Sequence, residues 1–287
     1  MQKLSVYYSL IKPGVTYGNA ISAVAGYLLA TSWPLGVGSF VGLTIGETLV
    51  IAAACVLNNH LDRDIDQKMS RTKTRATAAG LVSGREAITE SVLLGVIGIV
   101  VLALTTNWLA TIVTLAGFFI YVWPYGAWTK RRSVHGTLVG AISGALPILA
   151  GYLAASGQFD LGAMLVFLVI FFWQMPEFYS ISIYRKNEYK KAGVPVISVV
   201  RGVERTKLEI FIYTVAFVAS SLALTLTGYT GWVYFIVMLL LGGYWLILGV
   251  HGLAKSAGDA WAKSMFRFSL VILIAFSFLI SIDNLLV

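Results

Sequence analysis

The chain has 287 residues, of which 58% are hydrophobic and only 12% carry a charged side chain. A soluble domain usually has about 25% charged residues, so this composition excludes an ordinary soluble protein and is typical of one that spans a bilayer. The formal net charge is +8, and the single cysteine, Cys55, excludes an intramolecular disulfide and a cysteine-rich metal site.

Long apolar segments recur along the whole chain and predict nine transmembrane helices, because a span needs about 20 predominantly apolar residues. The predicted spans are residues 15–31, 37–57, 88–105, 108–127, 136–155, 161–183, 208–227, 232–251 and 266–284. No linker or shift in composition divides them. We therefore expect an all-α, polytopic membrane protein, with one membrane-embedded domain over residues 1–287 built as a single helix bundle.

The basic residues are confined to one side of this arrangement. Short connections follow the first, third, fifth and seventh spans, and longer polar connections follow the even-numbered ones. All 21 lysines and arginines lie in the N-terminal segment, in the longer connections or at their helix borders. The positive-inside rule then predicts that the N-terminus and the longer loops face the cytoplasm and that the C-terminus lies outside. The positive net charge follows from this asymmetry, so it does not indicate a nucleic acid as partner.

One acidic residue lies inside the second span. Glu47 precedes Asn58 by eleven residues, which places it about three turns deeper on the same helix. An ionisable residue within the bilayer is a functional hypothesis by default. Glu47 either lines a cavity for an acceptor substrate or is a protonated side chain hydrogen-bonded between helices.

The end of the second span carries the strongest chemical pattern. Asn58, Asp62 and Asp66 lie at positions i, i+4 and i+8, so they share one face if the helix continues through them. One amide and two carboxylates suit Mg²⁺, which binds one or two carboxylates together with substrate phosphates. The alternative is a solvated, charged helix end at the membrane surface. The common face and the basic segment that follows favour the metal site.

Basic side chains in two loops are candidates for binding a diphosphate, because charged donors pair strongly with phosphate oxygens. Arg71, Lys73 and Arg75 follow the acidic pattern, and Arg185 and Lys190 lie in the third long loop. The third loop also contains one acid, and that acid is Glu188. The alternative for the lysines is a loop that is basic only because it faces the cytoplasm.

The pattern Asn58-x-x-x-Asp62-x-x-x-Asp66 resembles the first aspartate-rich motif of the UbiA-type prenyltransferase superfamily. The wider sequence is similar to the protoheme IX farnesyltransferases, or haem O synthases, of that superfamily. The segments that carry this similarity are residues 58–66, 68–72, 136–140, 143–145, 173–176, 184–189 and 192–195. They are spread over nearly the whole chain.

The resemblance implies a reaction and its participants. The donor is farnesyl diphosphate, the acceptor is a vinyl group of haem b, and water addition completes the product, haem O. Mg²⁺ is held by Asn58, Asp62 and Asp66, which act as the catalytic residues, and the basic loops hold the departing diphosphate. The enzyme lies in the plasma membrane with its active-site loops in the cytoplasm. A downstream haem-modifying enzyme or a terminal oxidase is the expected partner.

The chain departs from the family pattern at two acidic positions. Most members of the superfamily carry a second aspartate motif in the third long loop, whereas this chain has Glu188 and places Ala192 where a second acid would stand. Haem O synthases likewise keep a single acid, usually Asp. After residues 173–176 the haem branch usually has His, and here Glu177 stands instead. We expect Glu177 to line the acceptor pocket and to replace that histidine in part.

Two other functions fit parts of the pattern. Another UbiA-type transferase, acting on an aromatic or quinone precursor, would carry the same first motif. An ion-coupled transporter could use an acidic helix end to hold its ion, but transporters place such groups near the bilayer midplane at broken helices. Here the acids cluster at one border of the membrane, which favours capture of a diphosphate at the surface.

Overall fold

The computed structural model describes residues 2–31 and 34–283, and within these ranges every regular element is helical. The all-α prediction is therefore confirmed. The elements are α1 (Gln2–Leu10), α2 (Pro13–Ala30), α3 (Val37–Leu61), α4 (Arg63–Asp66), α5 (Gly84–Thr105), α6 (Trp108–Ile120), a π-helical segment (Tyr121–Thr129), α7 (Lys130–Arg132), α8 (Gly136–Ser156), α9 (Leu161–Tyr184), α10 (Lys186–Ala192), α11 (Ile197–Val200), α12 (Val203–Leu226), α13 (Trp232–Gly252) and α14 (Asp259–Ile282).

Eight helical rods are long and apolar enough to cross a membrane, and each overlaps a predicted span. They are α3, α5, the continuous rod from α6 to α7, α8, α9, α12, α13 and α14. The first predicted span corresponds to α2, which has 18 residues and includes the polar Thr16, Asn19 and Ser22. A ninth span thus stays a prediction. Ser32 and Trp33 of the first short connection, and Asn284 at the end of the last predicted span, lie outside the described residues.

Several helices begin or end beyond the predicted spans. α12 begins at Val203 rather than 208, and α14 begins at Asp259 rather than 266. The apolar pattern marks the hydrocarbon layer, whereas a helix continues until its backbone groups are capped or find other partners. Caps set some ends: the Ser83 side chain accepts a hydrogen bond from the N–H of Glu86 at the start of α5, at 3.2 Å.

α2 and α8 pack at backbone contact. A Cβ atom added to Gly26 would collide with the carbonyl oxygen of Ile148, and one added to Gly151 would collide with the carbonyl oxygen of Ala23. Helices in lipid associate through such small residues because they let the backbones approach closely. This contact fixes α2, and with it the turn before Pro13, against the centre of the bundle.

The long loops meet at one end of the bundle. The Arg131 guanidinium donates to Asp64 Oδ1 at 2.7 Å, which joins the first and second long loops. Ser70 Oγ donates to Glu188 Oε2 at 3.0 Å and joins the first loop to the third. We refer to this region as the charged end. The chain therefore gathers its basic loops on one side, as the charge pattern predicts, and the assignment of that side to the cytoplasm stays a prediction.

The rod that begins with α6 changes its winding before it reaches the charged end. The segment Tyr121–Thr129 is π-helical and contains Pro124, which has no N–H to donate. The carbonyl oxygen of Pro124 accepts a hydrogen bond from Thr129 Oγ1 at 2.6 Å. π-helical turns are rare and occur frequently at functional sites, so this segment marks a place to look for function.

Candidate active site

A cavity of about 630 Å³ lies between the helices and reaches the charged end. Its walls come from α2, α3, the rod from α6 through the π-helical segment, α8, α9 and α14, and α4 closes one corner. Polar side chains line the part near the loops, and apolar side chains such as Val50, Ile51, Phe118, Leu146 and Ile170 line the deeper part. The cavity can hold a molecule that has a charged head and an apolar body.

Asn58, Asp62 and Asp66 all line this cavity and are almost completely buried, with exposed fractions of 1%, 0% and 3%. α3 ends at Leu61, and Asp62 turns the backbone with φ −87° and ψ 0° before α4 begins. The helical hydrogen-bond spacing survives this break. The N–H of Asp62 donates to Asn58 O at 2.9 Å, and the N–H of Asp66 donates to Asp62 O at 2.8 Å. The i, i+4, i+8 spacing thus places all three at the same cavity.

A cation contacts each of these three side chains. Lys12 Nζ donates to Asn58 Oδ1 at 2.5 Å, and Arg75 Nη1 donates to the two carboxylate oxygens of Asp66 at 3.0 and 2.9 Å. Lys130 Nζ donates to Asp62 Oδ2. The cations come from the N-terminal segment, the first long loop and the end of the π-helical rod, and they balance the buried carboxylates, which would be costly to leave unpaired.

Two buried polar atoms of the site have no hydrogen-bond partner in the described part of the chain. They are Asp62 Oδ1 and Asn58 Nδ2. A buried carboxylate oxygen that the protein leaves without a partner is costly, so it is suited to bind a ligand. Within residues 2–31 and 34–283, no three His, Cys, Asp or Glu side chains form a metal centre. Two carboxylates that need further oxygens from a phosphate fit Mg²⁺, which seldom has an all-protein cage.

Charged groups inside the cavity and on the adjacent surface have pKa values shifted by different causes. Desolvation in the cavity lowers the pKa of Lys12 to about 8, and its backbone has a φ of +49°, a left-handed conformation that non-glycine residues adopt at a cost. Asp64 is more than half exposed, and the hydrogen bond from Arg131 lowers its pKa to about 2. Asp64 therefore stays ionised and pairs outside the cavity, although it lies between the two cavity carboxylates in the sequence.

The candidate diphosphate residues divide into two groups. Arg71, Arg75 and Arg185 line the cavity. Lys73 and Lys190 are exposed, and neither belongs to the lining formed by the described residues. A role for these two lysines in binding the diphosphate stays a prediction, because membership of a basic loop does not fix the direction of a side chain.

Glu188 supports a neighbouring residue and does not line the cavity formed by the described residues. Its Oε1 accepts from Arg185 Nη1 at 2.8 Å, and its Oε2 accepts from Ser70 Oγ at 3.0 Å. Its carboxylate thus orients a cavity-lining arginine and ties two loops together. A role as a second metal-binding acid has no support from this placement.

Two glutamates line the cavity away from the aspartates. Glu47 on α3 is 2% exposed, and its Oε2 accepts from Thr114 Oγ1 of α6 at 2.5 Å. Glu177 on α9 is 9% exposed and makes no hydrogen bond within the described ranges. The structure thus places both candidate acceptor-pocket residues in the cavity wall, Glu47 at the deep end and Glu177 beside Gln174.

Sequence reasoning missed Lys12 and Lys130, the cations nearest to Asn58 and Asp62. They lie 46 and 68 residues away from their partners along the chain, so no local spacing connects them. The only sequence signal was their position at the border between a polar segment and a helix. Tyr121 and Tyr125 of the π-helical segment also line the cavity. Of the aromatic residues near the charged end, the exposed Trp123 and Trp128 have no part in it.

A model of the UbiA prenyltransferase family matches residues 19–271. The chain belongs to this family. Similar full-length relatives include the protoheme IX farnesyltransferase of Chromohalobacter salexigens, 45% identical over 280 residues, with 98% of this chain and 95% of the relative covered. The protoheme IX farnesyltransferase 2 of Pseudomonas aeruginosa is 43% identical over 281 residues, with 98% and 95% covered. The resemblance to protoheme IX farnesyltransferases is confirmed, and the chain is a membrane-bound prenyltransferase.

Solved structures share the fold at low sequence identity. Digeranylgeranylglyceryl phosphate synthase superposes with a TM-score of 0.81 at 19% identity, with 98% of this chain and 99% of that chain covered. A UbiA homologue from Archaeoglobus fulgidus, solved with GPP and Mg²⁺ bound, superposes with a TM-score of 0.72 at 16% identity, with 96% and 99% covered. At such identities the likeness shows the fold alone.

Proposed function

We propose that this chain transfers the farnesyl group of farnesyl diphosphate to a vinyl group of haem b and that water addition then gives haem O. The names of its relatives support this acceptor. The observation that carries the chemistry is the buried Asp62 carboxylate, with one oxygen paired to Lys130 and the other without a partner among the described residues, above an apolar cavity. This arrangement suits a metal-bridged diphosphate with a hydrophobic tail.

The diphosphate binds at the charged end of the cavity. Asn58, Asp62 and Asp66 would hold Mg²⁺, which neutralises phosphate oxygens and makes the diphosphate a better leaving group. Arg71, Arg75 and Arg185 line the same region and bind the remaining oxygens through charge-assisted hydrogen bonds. Lys12, which contacts Asn58, and Lys130, which contacts Asp62, can move from these partners to the phosphate oxygens. These cations stabilise the negative charge that develops as the donor carbon–oxygen bond breaks.

The apolar part of the cavity favours reaction of the donor carbon with the vinyl group over its reaction with water. When the carbon–oxygen bond breaks, its electron pair leaves with the diphosphate, and the π electrons of the vinyl group form the new carbon–carbon bond. Tyr121 and Tyr125, whose ring centroids lie 5.5 Å apart, line the cavity below the charged end and can stabilise the allylic cation through their ring faces. The apolar walls exclude water that would otherwise hydrolyse the donor.

The final step places positive charge on the vinyl-derived carbon next to the macrocycle. A water molecule adds to that carbon and loses one proton, which leaves a hydroxyl group. Glu177 lines the cavity without a hydrogen-bond partner in the described residues, so it is placed to order that water and to accept the proton. The family's usual histidine at this position would do the same through an imidazole.

The orientation and the partners belong to the same proposal. The charged end faces the cytoplasm, which supplies the soluble diphosphate, in accordance with the positive-inside rule. The protein lies in the plasma membrane, and haem O passes to a haem-modifying enzyme or a terminal oxidase.

Reconstitution tests the proposed reaction directly. We would supply the purified protein in lipid nanodiscs with haem b, farnesyl diphosphate and Mg²⁺, extract the haem and identify it by mass spectrometry. We expect haem O, we expect its formation to stop on chelation with EDTA, and we expect added Mg²⁺ to restore it. A second measurement identifies the prenylated products extracted from cells that express the protein. Prenylated phenols or quinone precursors, without any haem O, would overturn the choice of acceptor.

A further inference from the structure

The cavity has a polar floor beneath apolar walls. On each lining helix we take as deepest the lining residue farthest from the charged end. That residue is Ser22 on α2, Glu47 on α3, Thr114 on α6, Pro147 on α8, Ile170 on α9 and Leu273 on α14. We call these six residues the cavity floor. Three of them are polar, although the walls directly above are mainly apolar.

Glu47 and Thr114 form the centre of this floor. Thr114 Oγ1 donates to Glu47 Oε2 at 2.5 Å, and the two residues are 3% and 2% exposed, respectively. The pair joins α3 to α6, so both side chains are fixed in position. The proposed transfer chemistry does not use either residue, because its bond changes occur near Asp62 at the other end of the cavity.

The distance between the two ends matches the length of the proposed donor. Glu47 and Asn58 are eleven residues apart on the continuous helix α3, which corresponds to about 16 Å along its axis. An extended chain of three isoprene units has eleven carbon–carbon bonds in its backbone and spans about 14 Å at ordinary bond lengths. A fourth unit would add about 5 Å. With the diphosphate at Asn58 and Asp62, a farnesyl tail reaches the floor and a geranylgeranyl tail would run into it.

A carboxyl group is an effective stop for such a tail. Only Oε2 of the two Glu47 carboxyl oxygens has a hydrogen-bond partner in the described part of the chain. Packing hydrocarbon against the other oxygen is costly, because it covers a polar atom that has no compensating hydrogen bond. The carboxyl group also fills space, and its bond to Thr114 prevents it from swinging aside. Val50, Ile51 and Ala54, which line the cavity between Glu47 and Asn58 on the same helix, give the tail an apolar path down to that point.

We infer that Glu47, held by Thr114, sets the length of the prenyl donor by closing the floor of the cavity at the end of the third isoprene unit. This inference rests on the proposed function, since it takes a prenyl diphosphate as the donor. It does not depend on haem as the acceptor. Glu47 is thereby a specificity-determining residue.

The test measures binding of two unreactive donors, farnesyl and geranylgeranyl thiodiphosphate, to the purified protein by calorimetry with Mg²⁺ present. Glu47→Ala opens the floor, and we expect it to shift the affinity ratio towards the longer analogue by about tenfold, as expected when extra methylene groups gain an apolar pocket. Glu47→Gln keeps the volume and polarity and should leave the ratio unchanged. Thr44→Ala, a matched control, removes a side chain one turn deeper on α3 outside the lining formed by the described residues.

Two results would overturn the inference. In the first, Glu47→Ala binds farnesyl thiodiphosphate normally and leaves the ratio unchanged. In the second, Glu47→Ala and Glu47→Gln both lose affinity for both analogues while the thermal unfolding of the protein is unaltered, which would assign Glu47 to binding of the head group. Because no acceptor is present, a wrong choice of acceptor affects neither reading, and failure of both analogues to bind the wild type would instead refute the proposed donor.

Discussion

Lys130 donates a hydrogen bond to one oxygen of Asp62, while the other oxygen of the same buried carboxylate has no partner in the described part of the chain. The pair joins the end of the rod from α6 to α7 to the end of α3, 68 residues away. One half of the carboxylate is thus satisfied by the protein, and the other half remains for a ligand. Under the proposed function, Mg²⁺ and a diphosphate would supply that partner, and the diphosphate would give Lys130 an alternative anion to contact.

Asp62→Asn should reduce turnover to below about one per cent of the wild-type rate, because a metal ligand lost at the reacting group removes much of the stabilisation of the leaving diphosphate. The measurement is haem O formation by the reconstituted protein at equal amounts of folded enzyme. Asp64→Asn is the matched control, since Asp64 is exposed and contacts Arg131 outside the cavity. Near-normal turnover in the control and loss in Asp62→Asn would separate the site from its surface neighbour.

A high residual rate in Asp62→Asn would argue against metal binding at this residue. Comparable losses in both variants would indicate a general effect on the loop instead. We expect only a small change in stability for Asp64→Asn, because exposed ion pairs contribute about 0.2–1 kcal/mol.

A reporter inserted into the first long loop, between Arg71 and Arg85, should remain in the cytoplasm. All lysines and arginines lie in segments that the predicted topology places on one side of the membrane, and the positive-inside rule assigns that side to the cytoplasm. Paired fusions with alkaline phosphatase and green fluorescent protein report the location, and a second insertion in the connection at Gly157 serves as the opposite-side control. Export of the first reporter would refute the orientation.

Glu177→Leu should slow haem O formation by about a hundredfold or more, in line with the contribution of a positioned proton acceptor, whereas Glu177→His should retain most of the rate. The carboxylate lines the cavity at 9% exposure, where it can hold the water that completes the product. Donor binding, measured with farnesyl thiodiphosphate, should be the same in both variants. Formation of haem O at the wild-type rate by Glu177→Leu would place this residue outside the reaction.

Gly151→Ala should destabilise the protein, although it adds only one methyl group. The new Cβ would collide with the carbonyl oxygen of Ala23, which belongs to the backbone of α2 and cannot rotate away. Overpacking of this kind costs about 1–3 kcal/mol, and thermal unfolding in detergent measures it. Gly243→Ala is the control, because a Cβ there meets no atom within 4 Å. Equal melting temperatures for the two variants would show that α2 and α8 are not packed so closely.

The sequence predicts the acidic part of the site well. Asn58, Asp62 and Asp66 are close in the chain, and helical spacing alone brings them to one face. The main-chain hydrogen bonds across the break at Asp62 preserve that spacing, so the prediction of one shared face survives a helix end that the pattern does not reveal.

The cationic part could not be predicted to the same degree. Lys12 and Lys130 reach the site only because α2 and the rod from α6 pack beside α3, and such contacts leave no local pattern. Lys73 and Lys190 carry the same charge in equally basic loops but remain exposed. Basic composition identifies the side of the membrane on which a loop lies, whereas the direction of each side chain depends on the turns of the folded loop.

The π-helical winding of Tyr121–Thr129 has a consequence for how the rod presents its two ends. Lys130 follows Tyr121 by nine residues, which in a regular α-helix would be about 2.5 turns and would place the two side chains on opposite faces. Wider turns bring both to the cavity, since the winding takes up extra residues without adding a turn. The π-helical winding therefore sets the angular position of Lys130 around the helix axis relative to Tyr121. Deletion of a single residue within this segment would rotate every later side chain of the rod about the helix axis. Lys130 would then be displaced from the cavity although the residue itself is unchanged.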